Sequence, residues 1–355
     1  MEYIPFTYEP DNSIKTLEDS KKYLDTNQNI KEKIIDLGSS YESIRNVIPQ
    51  PSEAFFSFGH YFPFYQSSDE LQISLSLAML GFYKQAFMSL RSALELGRLS
   101  VYYNINDNGY KVVQDWLRSK DNWEANTPKA TKIWEMLQQN DNIKNFDQKF
   151  NIKQQFDDLS FLNNYVHSKG YRYSNLLGIR SKPNHQTFEE AAFIQWLETY
   201  EKIVIHGITL HMLKYPLASV EFDWDSKVGI NHPFGILREF EIKTIKKFLP
   251  PGYLDEIQTI ASNDKAVQSF CEELRNSPDI TEEEVENQLI ENAKLTIEVG
   301  SSFIDWEESQ LKLMKRYSDE GKEKALNRIN IIKKWAIDNN MMERGLKIRK
   351  SKEPF

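Results

Sequence analysis

The sequence predicts an all-α protein, a multi-helix bundle with an up-and-down core and a second helical region toward the C-terminus. Three observations predict it. Apolar residues recur at helical spacing through most of the chain, the pattern of amphipathic helices. Helix-start signals stand ahead of these segments, among them Thr187-x-x-Glu190 and Thr281-x-x-Glu284, both with the capping-box pattern. No period of about 20–50 residues repeats, which argues against a solenoid.

The elements follow in order. Residues 13–37 are charged with apolar positions at helical spacing, and Gly38 is a stop signal. Pro49-Gln50-Pro51 breaks the chain, and the aromatic stretch 55–65, with Gly59 and Pro63, is expected to be irregular. Residues 69–103 form the strongest helix candidate. Phe82, Ala86, Phe87, Leu90, Ala93, Leu94 and Val101 make a wide apolar face, and Lys84, Gln85, Ser89, Arg91, Ser92, Glu95 and Arg98 fall opposite. A short helix is expected over 111–120. Thr127-Pro128 suits the start of a helix over 129–139, with one or two more over 144–167. After a polar and aromatic loop over 170–185, a long helix runs from the first capping box to Tyr215 and stops at Pro216. Residues 218–234 read as a short strand or an irregular linker. Helical pattern returns over 236–248, 254–276, 282–299 and 301–338, and a basic tail closes the chain over 344–352. The expected organisation is an extension over 1–69, a helical domain over 70–215, a linker over 216–235 and a C-terminal helical region over 236–355.

The 355 residues are 40% apolar and 13% aromatic, enough for two or three domains with real cores. Formal net charge is −8, which argues against a general nucleic-acid coat protein but leaves room for a local basic patch. The single cysteine, Cys271, cannot form an intrachain disulfide or a thiolate zinc site, which fits a reducing compartment. The first residues lack the basic and apolar regions of a secretory signal. The greasy stretch 71–99 is interrupted by Lys84, Gln85, Arg91, Glu95 and Arg98 and is too polar for a bilayer. A soluble cytoplasmic protein is the expectation. Glycine-rich phosphate loops, Gly-x-Ser-x-Gly, His-Glu-x-x-His and kinase signatures are all missing, so the common ATPase, hydrolase and protease readings have no support.

The most informative segment is 156–170, which ends an apolar helical pattern with His167. On a helix, Ser160, Asn163, Asn164 and His167 share a face. Two readings fit: a polar pocket for a phosphate or ribose with a general acid/base, or a buried helix-end histidine. Arg91, Glu95 and Arg98 stand four and three apart, so Glu95 is placed to pair with both arginines. They form either a phosphate-binding cluster or a structural ion-pair seam. His206 and His211, five apart, do not match metal-ligand spacing on a helix and read as structural. No metal or cofactor is implied. Lys322, Lys324, Arg328, Lys333, Lys334, Arg344, Lys347, Arg349, Lys350 and Lys352 are opposed only by Glu323, Asp338 and Glu343. This run is either a surface for nucleic acid or an acidic partner, or a solvated helix with a frayed terminus.

The run Phe87-Met-Ser-Leu-Arg-Ser-Ala-Leu-Glu-Leu-Gly-Arg-Leu-Ser, followed about sixty residues later by Leu162-Asn-Asn-Tyr-Val-His-Ser-Lys-Gly, resembles bacterial helical domains of the HEPN type. The resemblance covers about residues 70–215. It implies an up-and-down helical core and a role in toxin or anti-phage defence systems. Active members are metal-independent endoribonucleases that use an Arg-x(4–6)-His motif, usually across a homodimer. His167 and Asn163 match that motif. Its arginine positions fall on Leu162, Phe161 and Ser160, and no arginine lies between Arg118 and His167. The resemblance therefore implies either an inactive domain or an arginine from elsewhere. Candidates are Arg91, Arg98 and Arg172, with His167 and Asn163 beside Arg91 in the catalytic role and Asn164 joining Arg98 and Arg172 on the substrate. The expected partners are RNA or another protein, and the expected assembly is a homo-oligomer. The rival from a different class is a non-catalytic helical interaction or dimerisation protein, an accessory subunit of a defence system.

Overall fold

The computed structural model describes residues 10–48, 61–105, 113, 116, 127–167, 169, 173, 186–232, 235–300 and 302–343. Every regular element among the described residues is helical, and no strand occurs among them. The chain divides into two compact units, Met1–Phe222 with Pro233–Glu272, and Asp223–His232 with Glu273–Phe355. Helices from 1–69 and from 236–272 thus lie in the same unit as 70–215. None of the helices among the described residues is long and apolar enough to cross a membrane.

The first unit opens with α1 (Pro10–Thr26) and α2 (Gln28–Ser43). Asn27 separates them, its side chain turned back onto the Tyr23 carbonyl at 2.9 Å. Gly38 does not stop a helix as its type suggests. It lies inside α2, where a Cβ would come 3.5 Å from the Tyr200 hydroxyl.

The expected single helix over 69–103 is two helices, α3 (Tyr61–Met79) and α4 (Tyr83–Ile105), which share the most extensive helix–helix contact among the described residues. Gly81 turns the chain between them with φ +77°. Phe82 N–H reaches the Leu77 carbonyl at 2.8 Å and Gly81 N–H reaches that of Ala78 at 3.1 Å, the paired bonds of a Schellman turn. Residues 61–65, expected to be irregular, are the first turn of α3. Pro63 is tolerated there because first-turn N–H groups have no acceptor within the helix.

Tyr41 locks α2 against this hairpin. Its hydroxyl sits 2.7 Å from Ser67 Oγ, and Ser67 donates to the Ala93 carbonyl at 2.6 Å. A Cβ at Gly97 of α4 would lie 2.7 Å from the Tyr41 hydroxyl, and one at Gly207 would lie 2.6 Å from its ring. Two glycines therefore let the helices close around one buried aromatic side chain. Burial pushes the Tyr41 hydroxyl well above its ordinary pKa.

Helices α5 (Ala130–Leu137), α6 (Asp141–Phe150) and α7 (Ile152–Asp158) follow. Thr127-Pro128 does not start α5, whose N-cap is Lys129 without a side-chain bond. Asn140 caps α6, and Asn151 ends it in the left-handed region at φ 51°. A 3₁₀ stretch, Leu159–Leu162, leads into the single turn α8 (Asn163–Val166).

The central helix α9 (Glu190–Lys214) begins without the Thr187 capping box. The Tyr83 hydroxyl binds this end instead, accepting from Glu189 N–H at 3.0 Å and donating to its carbonyl at 3.2 Å. The helix stops just before Pro216, as the sequence suggests, and Pro216 opens a 3₁₀ turn, Pro216–Ser219. The rest of the first unit is built from α11 (Glu239–Lys246), α12 (Tyr253–Asn263) and the greater part of α13 (Lys265–Asn276), where Cys271 is buried.

The second unit contains α10 (Trp224–Val228), α14 (Glu282–Val299), α15 (Phe303–Met314) and α16 (Asp319–Asp338). Where a strand or linker was expected, Asp223 caps α10 through Ser226 N–H at 3.2 Å. The Thr281–Glu284 capping box is formed as written in the sequence. Ile290, Ile297, Phe303, Ile329 and Ile332 make a small separate core. Part of the basic run is neutralised within this unit. Arg328 forks onto Glu286 with two bonds of 2.7 Å, Lys324 reaches Glu282 and Glu320 at 3.2 and 3.1 Å, and Lys322 reaches Asp319 at 2.9 Å. The tail over 344–352 lies outside the described residues.

Gly81→Ala places a methyl group 2.7 Å from the Thr187 carbonyl oxygen at a positive φ. It is expected to lower stability by about 2 kcal/mol or more in urea denaturation. Gly300→Ala, with open space around the added carbon, should stay within about 0.5 kcal/mol of the parent.

Candidate functional site

Helix α4 carries Arg91, Leu94, Glu95 and Arg98 along one stripe, because residues three, four and seven apart share a helical face. The stripe faces the start of α5 and the segment from Phe156 to Lys169. Together they line a cleft of about 480 Å³. Arg91, Arg98, Asn163 and His167, which are separate in the sequence, meet in this one place.

His167 caps the C-terminal end of α8, its backbone N–H bonded to the Asn163 carbonyl at 3.0 Å. Its imidazole is exposed to solvent and lines the cleft. The buried helix-end reading is therefore corrected. The turn is short because the chain has no long helix here. The left-handed Asn151 and the 3₁₀ stretch at 159–162 divide the region expected to hold one or two helices over 144–167 into shorter pieces.

Asn163 does two things. Its backbone supports His167, and its side-chain oxygen accepts from Arg91 Nε at 2.7 Å. The other two nitrogens of Arg91 meet Glu95 as a fork, both at 3.0 Å. One arginine is thus tied to the residue one turn before the histidine, from a helix more than seventy positions away.

Arg98 departs from expectation. It was expected on the polar side of its helix with Glu95 as partner. Instead it is only 7% exposed. Its Nε donates to His206 Nε2 at 3.2 Å and its Nη2 to the Phe156 carbonyl at 2.9 Å. The guanidinium lies 3.5 Å from the centre of the Phe156 ring, where its charge meets the negative face of the π system. Burial pulls its pKa down to about 9, with Glu95 and Asp157 acting the other way. Arg98 therefore stays cationic at neutral pH.

That charge has consequences in the core. Burial, helped by Arg98 and then His211, holds His206 well below the ordinary histidine range. A neutral ring leaves Nε2 as an acceptor for the Arg98 N–H. His211 is also fully enclosed and is pushed down to about 4. In the neutral tautomer that fits its surroundings, Nδ1 donates to the Gly207 carbonyl at 2.7 Å and Nε2 accepts from Ser100 at 3.2 Å. The structural reading of both histidines holds, and His206 also anchors a cleft arginine.

Two lining cations were missed in the sequence, Lys129 and Lys169. Lys169 stands two residues after His167 and was legible as part of the same motif. Lys129 carried no signal, because only the fold brings the start of α5 to the cleft. The cleft therefore sets Arg91, Arg98, Lys129 and Lys169 against Glu95 and Asp157, and Asp157 is already paired with Lys153 at 2.5 Å. A local cationic surplus sits on a chain of net charge −8. Asn164 is outside the cleft lining; its backbone carbonyl accepts from Lys169 N–H at 3.2 Å. Arg172 lies outside the described residues. Among the described residues, no group of three or more His, Cys, Asp or Glu is placed to hold a metal ion.

Comparisons of the chain with protein-family models, with curated proteins and with solved structures find no significant match.

His206 and His211 make stability depend on pH. In an unfolded chain both titrate near 6.5. The folded state holds them neutral to much lower pH, so the unfolded chain binds the proton first as pH falls. Stability is complete above about pH 6.5 and is lost progressively toward pH 4, on the order of 2 kcal/mol by pH 5 for His211 alone. Urea titrations at pH 7.5 and 5 should show this loss, and His211→Gln should flatten it. An unchanged slope in that variant would exclude His211 as a source.

Proposed function

We propose that residues 70–215 form a HEPN-like domain acting on RNA in a defence or toxin-type role, as a metal-independent endoribonuclease with a degenerate motif. The observation that carries this reading is Arg91. The motif positions 160–162 lack an arginine, yet one from α4 is hydrogen-bonded to Asn163 and lines the same cleft as the exposed His167.

In this reading the cationic lining holds the RNA backbone. His167 takes the proton from a ribose 2′-hydroxyl as that oxygen attacks phosphorus. It then returns the proton to the leaving 5′-oxygen, so a 2′,3′-cyclic phosphate and a 5′-hydroxyl end result. Arg91 and Arg98 offset the charge that builds on the phosphoryl oxygens.

The second reading, a non-catalytic helical interaction protein, is favoured by one specific observation. All three nitrogens of Arg91 already have protein partners. The two readings separate in one assay. His167→Ala and Arg91→Ala are each expected to lower RNA cleavage by about 10²–10⁴-fold and to relieve toxicity on expression. Unchanged cleavage and toxicity in His167→Ala would overturn the nuclease reading and leave the interaction protein.

A further inference from the structure

We infer that Glu95 is a built-in competitor for the anion position of the cleft, occupying Arg91 until a phosphate group takes its place. The inference rests on the reading of the cleft as an anion site and adds how that site is regulated.

The two arginines of the stripe are held in different ways. Arg98 is nine-tenths buried, and its hydrogen bonds go to neutral acceptors, the His206 ring and the Phe156 carbonyl. It is a fixed charge facing the cleft without a carboxylate bonded to it. Arg91 is the reverse. Its outer edge is closed by a carboxylate that meets Nη1 and Nη2 in parallel at 3.0 Å. That fork geometry is also how a guanidinium holds two oxygens of a phosphate. Glu95 therefore stands where a phosphate would bind.

The Glu95 contact is built to be exchanged. It joins residues four apart on one helix, and the side chains are 27% and 39% exposed. Pairs of this kind are weak, and no tertiary contact is broken when they open. Asn163 holds Arg91 at Nε, on the other edge of the guanidinium, at 2.7 Å. When Glu95 swings into solvent, Arg91 keeps its direction and offers Nη1 and Nη2 to the newcomer. A group with two free oxygens on one phosphorus can match this fork and also draw on Arg98, Lys129 and Lys169. A single ammonium or neutral ligand gains nothing by displacing Glu95. The ligand chemistry is thus a phosphate, either the diester of an RNA strand or a free phosphate ion.

The test uses the full chain and two probes at low salt, inorganic phosphate and a short RNA with 2′-O-methyl groups throughout, which blocks cleavage. Glu95→Gln removes the competing charge and is expected to tighten binding about tenfold. Adding Arg91→Ala should abolish that gain. Glu95→Asp, too short to hold the fork but still charged, should fall between. Melting temperatures of all variants verify the fold. Tightening for both probes assigns the site to phosphate generally, and tightening for RNA alone assigns it to the diester strand. If Arg91→Ala weakens binding but Glu95→Gln does not tighten it, the cleft binds anions and Glu95 is no competitor. Failure of both probes to bind any variant overturns the anion reading together with the inference.

Discussion

A guanidinium enclosed in an apolar bundle is the constraint on which the cleft depends. Buried charge without partners is strongly unfavourable, so Arg98 must be met by acceptors wherever it lies. The fold supplies a backbone carbonyl at the end of α7 and a neutral imidazole on α9. These bonds tie two elements, α7 and α9, to one point on α4. The Phe156 ring across the guanidinium completes the enclosure. The carbonyl of a regular helix interior would be committed to its own ladder. Phe156 lies near the end of α7, where the last carbonyls are free for other donors. The break between α7 and the 3₁₀ stretch therefore serves both Arg98 and the placing of His167.

The same logic explains why two arginines on one face of one helix differ so much. Arg98 faces α9 and is desolvated. Arg91, two turns earlier, sits at the rim, where Asn163 and Glu95 compete with solvent for it. Position along the stripe, rather than residue type, decides which arginine is structural and which is exchangeable. Tyr41 and its two glycine notches let α2, α4 and α9 approach closely beside it.

Much of the secondary structure was legible. The Thr281 capping box is realised because both partners lie within one turn of the chain. The Thr187 box is not realised, because the Tyr83 hydroxyl, distant in sequence, satisfies the same end of α9. Periodicity across 69–103 is continuous on either side of Gly81, so apolar spacing alone could not separate one helix from a hairpin. The glycine at 81 was the available sign, because it adopts the positive φ found there without a Cβ penalty. Gly38 gave the opposite lesson. There the glycine lies inside α2 without a positive φ, and the helix runs on.

Local chemistry belongs to the sequence by itself: an all-helical chain, the polar segment ending in His167, the Arg91–Glu95 spacing and the structural standing of His206 and His211. Each depends on residues within a few turns of one another, where backbone geometry leaves little choice. Only the tertiary structure decided which of these groups meet. It turned Arg98 inward, exposed His167, brought Arg91 to Asn163 and added Lys129 to the same cleft. Those outcomes depend on how helices pack against one another, and spacing within one helix carries no record of what another helix will place against it.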